Sequence, residues 1–132
     1  MSEPEGDIPH WIKPNPINIL MVDSPPYFGT NLPPKVVKRL GDTAFLKCKV
    51  FNLGNNMVSW IRTDPLEIIS SGLYTFIGDS RYSTEYLSED NVWVLRITNV
   101  RYEDSATFEC QVNTNPVMSY NVSLKVTSKV GD

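Results

Sequence analysis

Three kinds of side chain in this sequence could do chemistry, and two of them lack the companions they need. His10 is the sole histidine and lies in a proline-rich stretch, so a histidine-based proton relay or multi-ligand metal site has no material. The carboxylates Asp64, Glu67, Asp79, Glu85, Glu89 and Asp90 lack the dense loop spacing of a calcium cage, and no G-x-S-x-G motif accompanies the serines. Solvated turns account for those acids. Catalytic residues, a metal and a cofactor are therefore not expected. The third kind is hydrogen-bonding chemistry. In ATFECQVNTNP, residues 106–116, Glu109, Gln111 and Asn113 alternate with Phe108, Cys110 and Val112. A period of two marks a strand with one face buried and the other exposed. Those three polar side chains are free to meet something.

The elements that must position them read as all-β. The 132 residues are one domain's worth. Eight of the ten prolines precede residue 35, and proline removes ladder donors and fixes φ, so residues 1–30 are expected to be an irregular or extended leader. Residues 31–128 form the domain, and 129–132 a tail or the start of a linker. Within the domain, short runs of alternating parity are separated by turn residues, with no sustained helical stripe. Ala44, Leu46, Cys48 and Val50 share one parity, Val58 and Trp60 another face, then come runs at 66–69, 74–77 and 81–86. Trp93, Leu95 and Ile97 follow, then the 106–116 stretch, and last Val122, Leu124 and Val126. Eight or nine short strands describe a two-sheet sandwich.

Charge and hydropathy exclude other classes. A net charge of -3 with scattered lysines and arginines offers no basic field, so nucleic acid is not an expected partner. The longest apolar run, 17–22, is far short of the roughly 20 residues that cross a bilayer. The opening MSEPEGDIPHW is acidic and unlike a signal peptide, which is weak ground for placing the chain in the cytosol.

The spacing of Cys48, Trp60 and Cys110 makes the fold specific. Together with LGDTAFLKC (40–48), WVLRI (93–97) and EDSATFEC (103–110), it resembles an immunoglobulin domain. The resemblance implies a Greek-key sandwich, with Trp60 packed on a Cys48–Cys110 disulfide between the sheets, and Leu95 and Ile97 in the core. It also implies a structural salt bridge between Arg81, on the strand at 81–86 (strand D), and Asp104. Phe108 departs from the pattern, replacing a corner tyrosine whose lost hydrogen bond is worth about 1 kcal/mol. Two apolar runs between Trp60 and Arg81 suggest C′ and C″ strands, hence a variable-type domain.

The segments PYF (26–28), NLGNNMVSWIR (52–62), LEII (66–69), LYTFIGDSRY (73–82) and CQVNTNPVMS (110–119) resemble the first immunoglobulin domain of the defective proboscis extension response (Dpr) family. These are neuronal cell-surface recognition proteins of invertebrates. The chain is also similar to their interacting proteins and to the IgLON group, with PYF favouring the Dpr side. The resemblance implies an extracellular module that binds another immunoglobulin-superfamily protein through strands G, F, C, C′ and C″ in neuronal or synaptic partner choice, with a weak homodimer as a second mode.

Parity leads to the same face. With Trp60 and Cys110 pointing inward, Ser59, Ile61 and Thr63 share the outer side with Glu109, Gln111 and Asn113. If Ile69 points inward, Leu66 and Ile68 join Ile61 in an apolar centre with a polar rim that includes Glu109 and Glu67; otherwise they pack beneath the C′C″ hairpin. Tyr74 belongs to the same candidate surface. Asn121 heads an Asn-Val-Ser sequon, and a glycan there is expected at the rim of the face. Two alternatives remain: an intracellular structural immunoglobulin domain with reduced cysteines, and a homophilic adhesion domain.

Overall fold

The structure, a computed structural model, describes residues 24–128. His10, the rest of residues 1–23 and the tail at 129–132 lie outside the described residues. Ten strands follow one another: β1 (Tyr27–Phe28), β2 (Lys35–Arg39), β3 (Ala44–Phe51), β4 (Val58–Thr63), β5 (Leu66–Ser71), β6 (Tyr74–Thr75), β7 (Tyr82–Leu87), β8 (Val92–Ile97), β9 (Ala106–Val112) and β10 (Met118–Thr127). Among the described residues one 3-10 turn, Tyr102–Asp104, precedes β9. One sheet has the order β1-β3-β8-β7 and the other β2-β10-β9-β4-β5-β6. All pairings are antiparallel except β2 with β10.

Alternation builds the core. In β3, Ala44, Leu46, Cys48 and Val50 are buried while Phe45 and Lys47 face solvent. Across the sandwich, Trp60, Phe108, Cys110, Val112 and Val122 are buried, and Leu95 and Ile97 are completely so. Burying each such aliphatic side chain contributes about 1.5–3 kcal/mol. A disulfide joins Cys48 in one sheet to Cys110 in the other, with the two Cα atoms 6.3 Å apart. Trp60 pairs with Cys110 across β4 and β9, which sets its indole beside that bond.

Three boundaries differ from expectation. Tyr27 and Phe28, assigned to the leader, already pair with Phe51 and Val50, because two extended residues after Pro25 and Pro26 reach the edge of the four-stranded sheet. The run at 74–77 yields only two strand residues, since Phe76 and Ile77 both donate their N–H groups to the Ile69 carbonyl and turn away. Arg81 stands just ahead of β7 rather than on it.

The Arg81–Asp104 pair closes one end of the sandwich. Arg81 Nη1 and Nη2 donate to the Asp104 carboxylate at 2.7 and 2.9 Å. The Arg101 N–H and the Tyr82 hydroxyl add donors at 2.7 Å each. Burial alone would raise the Asp104 carboxyl, but these donors outweigh it and hold the group below its ordinary value. Burial, then the bond to Asp104, pushes the Tyr82 hydroxyl up. Phe108, without a hydroxyl, is fully buried with the Arg62 guanidinium 5.6 Å from its ring centre.

Candidate recognition surface

The outward face of the six-stranded sheet is set by register. Residues directly opposite on paired strands share a face, so cross-strand pairs can be followed as rows. The central row runs from Asn121 on β10 to Glu109 on β9, Ile61 on β4 and Ile68 on β5. A second row holds Ser119, Gln111, Ser59, Ser71 and Tyr74. Beside them Thr63 pairs with Leu66, and its hydroxyl donates to the Thr107 carbonyl at 3.2 Å.

A bulge makes the β5 contribution apolar. Trp60 pairs with Ser70 but Ile61 pairs with Ile68, leaving Ile69 as the extra residue. Ile69 and Ser70 therefore both point inward and are completely buried. Ile68 and Leu66 point outward, 55% and 76% exposed. They do not pack beneath the β5–β6 hairpin. That hairpin turns at Gly72, whose φ of +59° suits glycine and whose missing side chain leaves room for Met57 Sδ.

Tyr74 is exposed on β6, and its ring meets Phe76 edge-on at 4.9 Å between centroids. Phe76 is itself exposed and was not anticipated as part of the surface. Its signal lay in the run 73–77, whose parity breaks where β6 ends. The outward apolar cluster is thus Ile61, Leu66, Ile68, Tyr74 and Phe76.

The polar side is partly self-satisfied. Gln111 Nε2 donates to Glu109 Oε1 at 2.8 Å, so the two present one bonded pair with the Gln111 carbonyl left to accept. Asn113 lies one residue past β9, where its Oδ1 accepts the Met57 N–H at 2.7 Å and its own N–H donates to the Met57 carbonyl at 3.2 Å. It is exposed, but its acceptor ties the β9–β10 turn to the start of β4. Glu67 is not on this face: it pairs with Arg62, which points the other way, and their charged groups lie 3.7 Å apart. Asn121 is exposed within β10, which pairs with β9 at this residue and with β2 only from Ser123 onward. The sequon therefore lies on the outer side of the sheet, at the end of the row that runs through Glu109 to Ile61 and Ile68.

Comparison with known proteins follows the same lines. Residues 31–128 match the immunoglobulin V-set domain. The chain is 30% identical over 83 residues to Zwei Ig domain protein zig-8 of Caenorhabditis elegans, covering 63% of this chain and 31% of that protein. Among solved structures it is similar to Dpr2 Ig1-Ig2 in complex with DIP-Theta Ig1-Ig3, at 36% identity and a TM-score of 0.78, covering 83% of this chain and 50% of that one. It is also similar to Dpr1 IG1 bound to DIP-eta IG1, at 36% identity and a TM-score of 0.75, covering 78% of this chain and 97% of that one. The chain spans about a third of the length of the curated relative. Taken with the sheet order, the inter-sheet disulfide and the buried Trp60, the match over 31–128 settles the family: the chain belongs to the immunoglobulin V-set domains.

Proposed function

We propose that this domain is an extracellular recognition module that pairs face to face with another immunoglobulin-superfamily domain through β10, β9, β4, β5 and β6, as part of cell-surface partner choice between neurons. The observation that carries the reading is the outward Ile61–Ile68 pair, flanked by Leu66 and Tyr74 and edged by Glu109 and Gln111. An apolar centre with a polar edge is the anatomy of a protein interface. The two similar structures are of Dpr2 in complex with DIP-Theta and of Dpr1 bound to DIP-eta, which supports a heterophilic partner of DIP-like kind for this chain.

The Cys48–Cys110 disulfide favours this reading over an intracellular structural domain, because such bonds persist in oxidising compartments. No helix among the described residues is long and apolar enough to cross a membrane. The test is a binding screen of the domain against secreted immunoglobulin ectodomains of the same organism, with sedimentation of the domain alone alongside. Capture of an ectodomain supports the heterophilic reading. Self-association without capture replaces it with homophilic adhesion, and the absence of both capture and self-association overturns both readings.

A further inference from the structure

The sequon Asn121-Val122-Ser123 lies in the middle of β10 with Asn121 outward and exposed. Its cross-strand neighbour is Glu109, the next along the row is Ile61, and the next Ile68. With paired strands about 4.8 Å apart, Asn121 is one strand from Glu109 and roughly 10 Å from Ile61. β2 pairs with β10 only from Ser123 onward, so Asn121 stands on the last strand of this row, directly beside Glu109 on the outer side of the sheet.

We propose that Asn121 carries an N-linked glycan that occupies the recognition face, so that glycosylation at this residue and docking of a partner exclude one another. The proposal rests on the reading of that face given above. A bulky, hydrated saccharide beside Glu109 keeps water over ground that a docked partner must dry before the apolar centre can contribute.

The chemistry is a group transfer from a lipid-pyrophosphate-linked oligosaccharide. The Asn121 carboxamide nitrogen bonds to the anomeric carbon of the first sugar, the carbon–oxygen bond to pyrophosphate breaks, and lipid pyrophosphate leaves. One amide proton goes to the transferase's base. In the folded domain Asn121 and Ser123 pair with Glu109 and Thr107 on β9, and the Ser123 N–H donates to the Pro34 carbonyl at 2.8 Å. The extended, accessible sequon the transferase needs exists only before β10 is paired on both sides. Occupancy is therefore set once, during synthesis, and divides the protein into a docking-competent and a masked population.

The experiment secretes the wild-type domain and Ser123→Ala, which keeps Asn121 but destroys the sequon, from eukaryotic cells. Mass spectrometry reads occupancy, and both forms are titrated against the ectodomains of the screen, with matched melting temperatures as the folding control. The expected result is glycan on the wild type and affinity about tenfold or more higher for Ser123→Ala. An unmodified Asn121, or no gain in binding for Ser123→Ala over occupied wild type, overturns the proposal. Adding Ile68→Asp to Ser123→Ala separates the two ideas: binding indifferent to Ile68→Asp removes the reading of the face, whatever the glycan does.

Discussion

Ile61 and Ile68 stand opposite one another across β4 and β5 on the outer side of the sheet, while Ile69, one residue further on, is completely buried. The bulge between them does two things at once. It sends Ile69 and Ser70 into the core together, and it keeps Ile68 and Leu66 on the outside. Shifting the pairing by one residue would exchange these faces, so the register of β5 is what makes the surface apolar.

The turn after β5 holds that register. Gly72 adopts a φ of +59°, and a Cβ there would lie 2.8 Å from Met57 Sδ. Gly72→Ala is expected to destabilise the domain by about 1 kcal/mol or more, measured by denaturant unfolding. Unchanged stability would mean that the hairpin tolerates a side chain at its turn.

The disulfide closes a loop with a sequence separation of 62. On the chain-entropy account that contributes roughly 4 kcal/mol. Cys110→Ala should therefore express poorly or melt well below wild type in thermal unfolding. Equal melting temperatures would remove the bond from the account of stability.

Asp104 gives the domain an acid-sensitive joint. Its folded carboxyl titrates below the ordinary value because Arg81, Arg101 and Tyr82 donate to it despite its burial. A carboxyl depressed in the folded state contributes its full stability above the unfolded value and loses it as pH falls through the folded one. Asp104→Asn should cost about 1.5–3 kcal/mol near neutrality, since it removes the charged acceptor of the two Arg81 hydrogen bonds while Asp79 stays paired with Arg81. The gap to wild type should narrow below about pH 4. A gap independent of pH, measured by urea unfolding, would place the stabilisation elsewhere.

How far the sequence could be read depended on where parity holds. β3, β4 and β9 alternate regularly, so the inward Cys48, Trp60 and Cys110 and the outward Glu109 and Gln111 follow from a period of two. β5 alternates from Leu66 to Ile69 and breaks the rule at Ser70, which stays inward beside Ile69. A bulge depends on pairing with β4, which no local pattern contains, and so Leu66 and Ile68 had two possible fates; Glu67, between them, follows by alternation to the side of Arg62. Asn113 continues the alternation of Glu109 and Gln111 in sequence, yet β9 has already ended and its amide closes a turn instead. β1 is two residues long and exists only through its partners Phe51 and Val50.

The central claim is that the outward face of β10, β9, β4, β5 and β6 is the recognition surface, and one comparison tests it most directly. Ile68→Asp places a charge at the exposed apolar centre without touching the core, whereas Arg96→Glu changes an exposed residue of β8 on the opposite sheet. Truncating a buried interface anchor costs about 2 kcal/mol or more, and a charge there costs further. In titrations of both variants against the ectodomain captured by the screen, with unchanged melting temperatures, Ile68→Asp should abolish binding and Arg96→Glu should leave it intact. Full affinity for Ile68→Asp, or loss of binding for Arg96→Glu, would contradict the claim.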